Sequence, residues 1–217
     1  MGKTRYVIMV LFLFFVSMLS TQAHQVNKVQ APVQSNDIPP YRVVSSSIAI
    51  DGEHSTYIAG TFFNDFRVDS SVLRRLIAID KTSAGFSKTY NGGPSDAFVI
   101  KLDATGEKIE YATFIGGKGK DWINSIAVDE NGYLYVAGFT ESNEYSFPIG
   151  GNIPGFQTTF SGSVDGFIMK IDTKNDEIVY STYLGGDSGD DITAIAVDYE
   201  GNVYAGGTTT STETHSP

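Results

Sequence analysis

The chain has no cysteine and only three histidines and one tryptophan among 217 residues. The missing thiols exclude a disulfide framework, a thiol nucleophile and every Cys-ligated metal site. Basic residues are also scarce, with 15 Lys and Arg against 25 Asp and Glu and a net charge of −10. A nucleic-acid partner is excluded on that balance, because phosphate binding rests on clustered cations. Helical periodicity is lacking too: beyond the N-terminal segment no stretch of ten residues repeats apolar positions at three and four, and glycines break the apolar runs. Short β-rich runs bounded by Gly, Asn and Asp take its place.

Residues 1–23 read as a secretory signal peptide. Lys3 and Arg5 precede the uncharged apolar stretch 7–19, and Thr21-Gln22-Ala23 offers a small-residue cleavage pattern. The apolar stretch is shorter than the roughly 20 residues that span a bilayer, so cleavage and export are expected, with no membrane span afterwards. Removal leaves an acidic chain of 194 residues at −12. Residues 24–42, with Pro32, Pro39 and Pro40 among many Gln, Asn and Ser, read as a polar linker.

An internal repeat dominates the remainder. Sliding residues 96–140 onto 165–209, a shift of 69, makes 19 of 45 positions identical, among them Asp96, Phe98, Lys101, Tyr111, Gly116, Gly117, Asp121, Asp129, Gly132, Tyr135 and Gly138. A weaker copy lies upstream at a shift of 78, where Ile48-Ala49-Ile50-Asp51 and Tyr57-Ile58-Ala59-Gly60 match Ile126 to Asp129 and Tyr135 to Gly138. One repeat holds four strand candidates, at 123–128, 133–139, 166–171 and 178–184. A turn at 129–132 carries an Asn-Gly pair suited to positive φ.

Four short antiparallel strands per unit define a propeller blade, and strands apolar on both faces suit sheets sandwiched between neighbouring blades. Ala127, Ala137 and Gly138 are expected to let blades approach one another. The expected fold is therefore all-β: β-propeller blades of four antiparallel strands, about two and a half of them, as an incomplete or open propeller. Blade one spans 43–117, blade two 118–186 and a partial blade three 187–217. A β-solenoid is the alternative, although its coils are much shorter than 69 residues. Closed propellers take four to eight blades, so uncovered blade faces are expected to drive self-association.

The chain resembles the bacterial β-propeller repeat family called SBBP. The likeness rests on Asp165-Gly166-Phe167-Ile168-Met169-Lys170-Ile171-Asp172, Tyr180-Ser181-Thr182-Tyr183-Leu184-Gly185-Gly186 and Gly189-Asp190-Asp191. It extends to Ile195-Ala196-Val197-Asp198, Gly201-Asn202-Val203-Tyr204, Ser146-Phe147-Pro148 and Gly155-Phe156-Gln157. The resemblance implies an exported or surface-associated propeller. Residues 62–95, with Arg74 and Arg75, depart from the pattern.

Candidate sites are few. The connection 141–164 carries Tyr145, Phe147, Phe156 and Phe160, and Trp122 falls on the same face. Such aromatics can stack on a glycan or anchor a protein; packing beneath a long loop is the competing reading. Asp187, Asp190 and Asp191 could hold a hard cation, or fix turns by accepting backbone hydrogen bonds. Residues 116–123 fit a calcium nonapeptide, yet such sites need copies nine residues apart and these stand 69 apart. No cofactor motif is present, and the histidines, His24, His54 and His215, have no acidic orienter nearby and lie outside the two strong repeats. The expectation is a non-catalytic exported scaffold that binds an unidentified protein or glycan at the cell surface or in the envelope. The alternative is a propeller hydrolase or lyase acting on polysaccharide, or a remnant of one.

Overall fold

The computed structural model describes residues 43–64 and 83–212. The expected signal peptide, the polar linker, Arg74, Arg75, His24 and His215 lie outside the described residues. The described chain has no helix. Its strands are β1 (Val43–Ile50), β2 (Thr56–Phe63), β3 (Ser95–Leu102), β4 (Ile109–Ile115), β5 (Asp121–Val128), β6 (Leu134–Thr140), β7 (Asp165–Asp172), β8 (Glu177–Leu184), β9 (Asp190–Val197) and β10 (Val203–Thr209). They form three open antiparallel sheets in chain order, β1-β2-β3-β4, β5-β6-β7-β8 and the two-stranded β9-β10. This is the incomplete propeller expected from the repeat, in separate meandering sheets rather than a coil.

The hairpins within each sheet are set by one residue type. Asp51, Asp129 and Asp198 each end a first strand, and Oδ1 of each accepts two backbone N–H groups of the following turn: Glu53 and Ser55, Asn131 and Tyr133, Glu200 and Asn202. These side chains take up donors that the short turn would otherwise leave unpaired. Positive φ falls on His54 (67°), Gly132 (81°) and Gly201 (83°), at equivalent places. The residue before Gly132, Asn131, does not share it, so the expected Asn-Gly pair supplies only its glycine.

Each first strand also bulges at the same place. Register slips between Ser45 and Ser47, between Ile123 and Ser125, and opposite Gly206 and Gly207, leaving Ser46, Asn124 and Thr193 unpaired. A bulge bends the strand and turns a backbone carbonyl out of the ladder. The Trp122 carbonyl meets Gly138 so closely that a Cβ there would lie 1.9 Å from it, and Asp191 stands over Gly207 identically. Gly138 thus makes room for a bulge within its own blade, not for the neighbouring blade as the sequence suggested.

Bulging exposes the next residue to the adjacent sheet. Ser47 Oγ accepts Ile126 N at 3.1 Å, and Ser125 Oγ accepts Ile195 N at 3.3 Å, tying successive first strands together. The third equivalent is Ala194, which has no hydroxyl. The main core lies between the first two sheets, with Tyr57, Tyr111, Ile115, Ile123, Leu134 and Phe167 wholly buried. A smaller cluster of Tyr135, Ala137, Ile168, Ile192 and Ile195 joins the second sheet to the third, with Ala127 against it. Dispersion and removal of apolar surface from water thus hold each blade to the next.

Candidate functional site

The blades have two chemically different ends. The short turns lie at one; the glycine-rich crossings and the connections from second to third strand lie at the other. At the turn end, Asp51, Asp129 and Asp198 accept a hydrogen bond from the hydroxyl of Tyr57, Tyr135 and Tyr204 respectively, at 3.2, 2.9 and 3.1 Å. In the two complete blades a third-strand lysine closes the unit. Lys101 stands 3.7 Å from Asp51 and Lys170 3.7 Å from Asp129, each over the ring of its tyrosine partner. Among the described residues no cation reaches Asp198.

At the crossing end, Asp96 and Asp121 face each other across Gly116. A Cβ on Gly116 would lie 2.3 Å from Asp96 Oδ1 and 2.7 Å from Asp121 Oδ2, so only glycine fits between the carboxyls. Asp121 accepts bonds from Gly117 N at 2.7 Å, Ser142 Oγ at 3.0 Å and the Thr140 hydroxyl. Asp96 Oδ2 accepts Asn91 N, while its Oδ1 has no hydrogen-bond partner. Both residues are fully buried. Burial, reinforced by the charge of Asp121, pushes the Asp96 carboxyl up to about 8 against the pull of the Asn91 and Gly92 amides. Burial likewise raises Asp121 to about 6, opposed by the bonds from Thr140, Gly117 and Ser142. The pair therefore retains a proton at neutral pH.

The arrangement recurs one blade on, where Asp165 and Asp190 flank Gly185, each with an oxygen 2.8 Å from a Cβ placed there. Asp165 accepts Ser161 N and Gly162 N, and Asp190 accepts Gly186 N and Ser211 Oγ. These carboxyls anchor the crossings and are buried. Asp96 and Asp165 were not singled out from sequence, although their identity at a shift of 69 was the available signal.

The acidic cluster disperses among separate partners. Asp187 binds the backbone and hydroxyl of Thr212, Asp190 turns inward to Gly186, and Asp191 accepts Asn124 Nδ2 at 2.6 Å. Among the described residues no three His, Asp or Glu side chains converge as metal ligands.

The connection 141–164 is pinned along the outer edge of β8. Gly150 N, Asn152 N and Ile153 N donate to Ser181 O, Ile178 O and Val179 O, and Tyr183 N donates to Gln157 O. Residues 84–87 cover β4 similarly, through Ala84 and Ser87. Sequence gave no sign of this edge cover, which satisfies strand groups that would otherwise invite pairing with another chain. Phe147 is buried against Phe167 and Tyr183, and Phe160 packs on Tyr183. Trp122 is half-buried, stacked on Phe139 and edge-on to Phe63. Tyr145 and Phe156 face solvent, 89% and 63% exposed.

Comparison with known families matches this geometry. The SBBP model, described as a beta-propeller repeat, matches at residues 110–146 and 179–213. Each match starts in a fourth strand, passes through the crossing and the next first and second strands, and ends just beyond them. The chain thus carries SBBP beta-propeller repeats. No curated protein matches it.

Proposed function

We propose that this chain is a non-catalytic, exported propeller scaffold that binds a glycan or protein at the cell surface or in the envelope. The observation that carries the reading is the placement of Tyr145 and Phe156. Both project into water from a connection held to β8 by backbone hydrogen bonds. An aromatic ring on a fixed backbone offers contact area with little conformational entropy left to lose. Phe147 and Phe160 serve the reading indirectly, as the packed base under the loop. Trp122, partly covered by two rings, is the third surface to test.

Glycan arrays and pull-downs from envelope extract, run with the parent chain and with Tyr145→Ala, Phe156→Ala and Trp122→Ala, test this. Loss of a captured ligand in the first two variants, with unchanged folding, supports the loop; unaltered binding removes it from the account. The competing reading, a polysaccharide hydrolase or lyase, requires acids that reach a substrate. Turnover of any envelope polymer by purified protein, with or without chelator, would replace the scaffold reading.

A further inference from the structure

The two-stranded sheet repeats, on its open side, the features that the other two sheets use to hold a third strand. β10 is the edge of its sheet, and among the described residues nothing pairs with its free side. Six of its seven residues are exposed. Its sequence, Val-Tyr-Ala-Gly-Gly-Thr-Thr, has none of the lysines or prolines that protect natural edges. Its counterparts, β2 and β6, are each paired by a third strand in one register. Tyr57 faces Lys101 and Tyr135 faces Lys170; Gly60 faces Phe98 and Gly138 faces Phe167. Each lysine pairs with the turn aspartate beside the tyrosine, and each phenylalanine lies opposite the glycine that pairs with the first strand at its bulge. In the third sheet Tyr204, Asp198 and Gly207 stand ready in the same positions, with Tyr204 donating to Asp198 as in the other two.

We propose that the free edge of β10 is a docking site for a β-hairpin of the third-and-fourth-strand type, whose first strand reads Asp-x-Phe-x-x-Lys-x-Asp. The hairpin adds antiparallel to β10, with its lysine opposite Tyr204 and beside Asp198, its phenylalanine opposite Gly207 and its leading aspartate opposite Thr209. Main-chain hydrogen bonds supply the affinity of such strand addition, and alternate side chains set its register. A single strand would leave its own far edge open, so the fourth strand completes the unit. Charge agrees with the choice, since the site presents Asp198 without a cation partner among the described residues.

The test uses the full chain and a labelled synthetic hairpin of residues 163–186, the corresponding segment of blade two, followed by fluorescence anisotropy. Saturable binding is expected. A Lys170→Met peptide should bind about fivefold more weakly, the size of one modest ion pair. Asp198→Asn in the protein should weaken the parent peptide equally and leave the two peptides indistinguishable, provided circular dichroism matches the parent chain. Absence of binding overturns the proposal, as does binding indifferent to both changes. Self-association that light scattering detects, and that excludes the hairpin, overturns it in favour of a second copy on the same edge.

Discussion

β6 and β10 are the same strand twice over. They share the tyrosine and the glycine at equivalent positions, pair with first strands in the same register, and face the same bulge. Yet Tyr135 is fully buried and Tyr204 is 60% exposed. The difference lies in what packs on each strand: β6 has β7 on its far side and a neighbouring sheet across its face, whereas among the described residues β10 has no strand on its far side and meets the cluster shared with the second sheet at Val203. Local sequence therefore fixes the hairpin, and neighbours supply most of its stability, as in other repeat architectures.

The sharpest way to break that contrast is to crowd the bulge in both places. Gly138→Ala drives a methyl into the Trp122 carbonyl on an inner strand of a four-stranded sheet, and a loss of about 3 kcal/mol or more is expected from overpacking that cannot relax. Gly207→Ala makes the same clash at an open edge that can shift, and should cost about 1 kcal/mol or less. Urea unfolding followed by Trp122 fluorescence measures both; equal losses would mean that the third sheet is as constrained as the second.

A second contrast concerns the carboxyl pairs. Asp96 holds its proton up to about pH 8 in the folded chain but only to about 4 unfolded. The folded state therefore binds more protons between these values, so stability is greatest near the acidic end of that window and falls as pH rises through it. Thermal melts should show Tm about 6–12 °C higher at pH 5 than at pH 8, an effect on the order of 3 kcal/mol. Asp96→Asn should flatten the profile and raise stability at pH 8. A Tm that climbs with pH over this range would contradict the assignment.

Tyrosine hydroxyls give a smaller contrast. Tyr135→Phe strands Asp129 with one fewer donor in a buried site, at a cost of about 1–2 kcal/mol in urea unfolding. Tyr204→Phe removes the equivalent bond in water and should leave the midpoint unchanged. The smallest effect concerns the turns: His54 occupies a left-handed conformation where the other two turns have glycine. His54→Gly should stabilise blade one by ~0.5–1 kcal/mol, read in the same melts.

Much of this was legible in the sequence, because a repeat prints its structure more than once. The strands at 123–128, 133–139, 166–171 and 178–184 lie where the apolar runs and turn residues put them, within two residues at each end. The identities also marked Asp121, Asp129, Tyr135 and Lys170, but not what each does, since a recurring letter gives no distance. The fate of the loop aromatics was not legible. Phe147 is enclosed and Phe156 exposed because the backbone of 150–157 follows β8, and that path is set by hydrogen bonds rather than residue type. Nor was the pairing of Asp96 with Asp121, which meet across Gly116 only once adjacent blades are stacked.

Hydrogen–deuterium exchange on the full chain tests the central claim most directly, by comparing the amides of β6 and β10 within one molecule. A four-stranded blade and a two-stranded one predict protection in Leu134–Thr140 that persists far longer than in Val203–Thr209. Equal protection of the two strands would contradict it, because β10 would then already have the cover that the account assigns to an incoming hairpin.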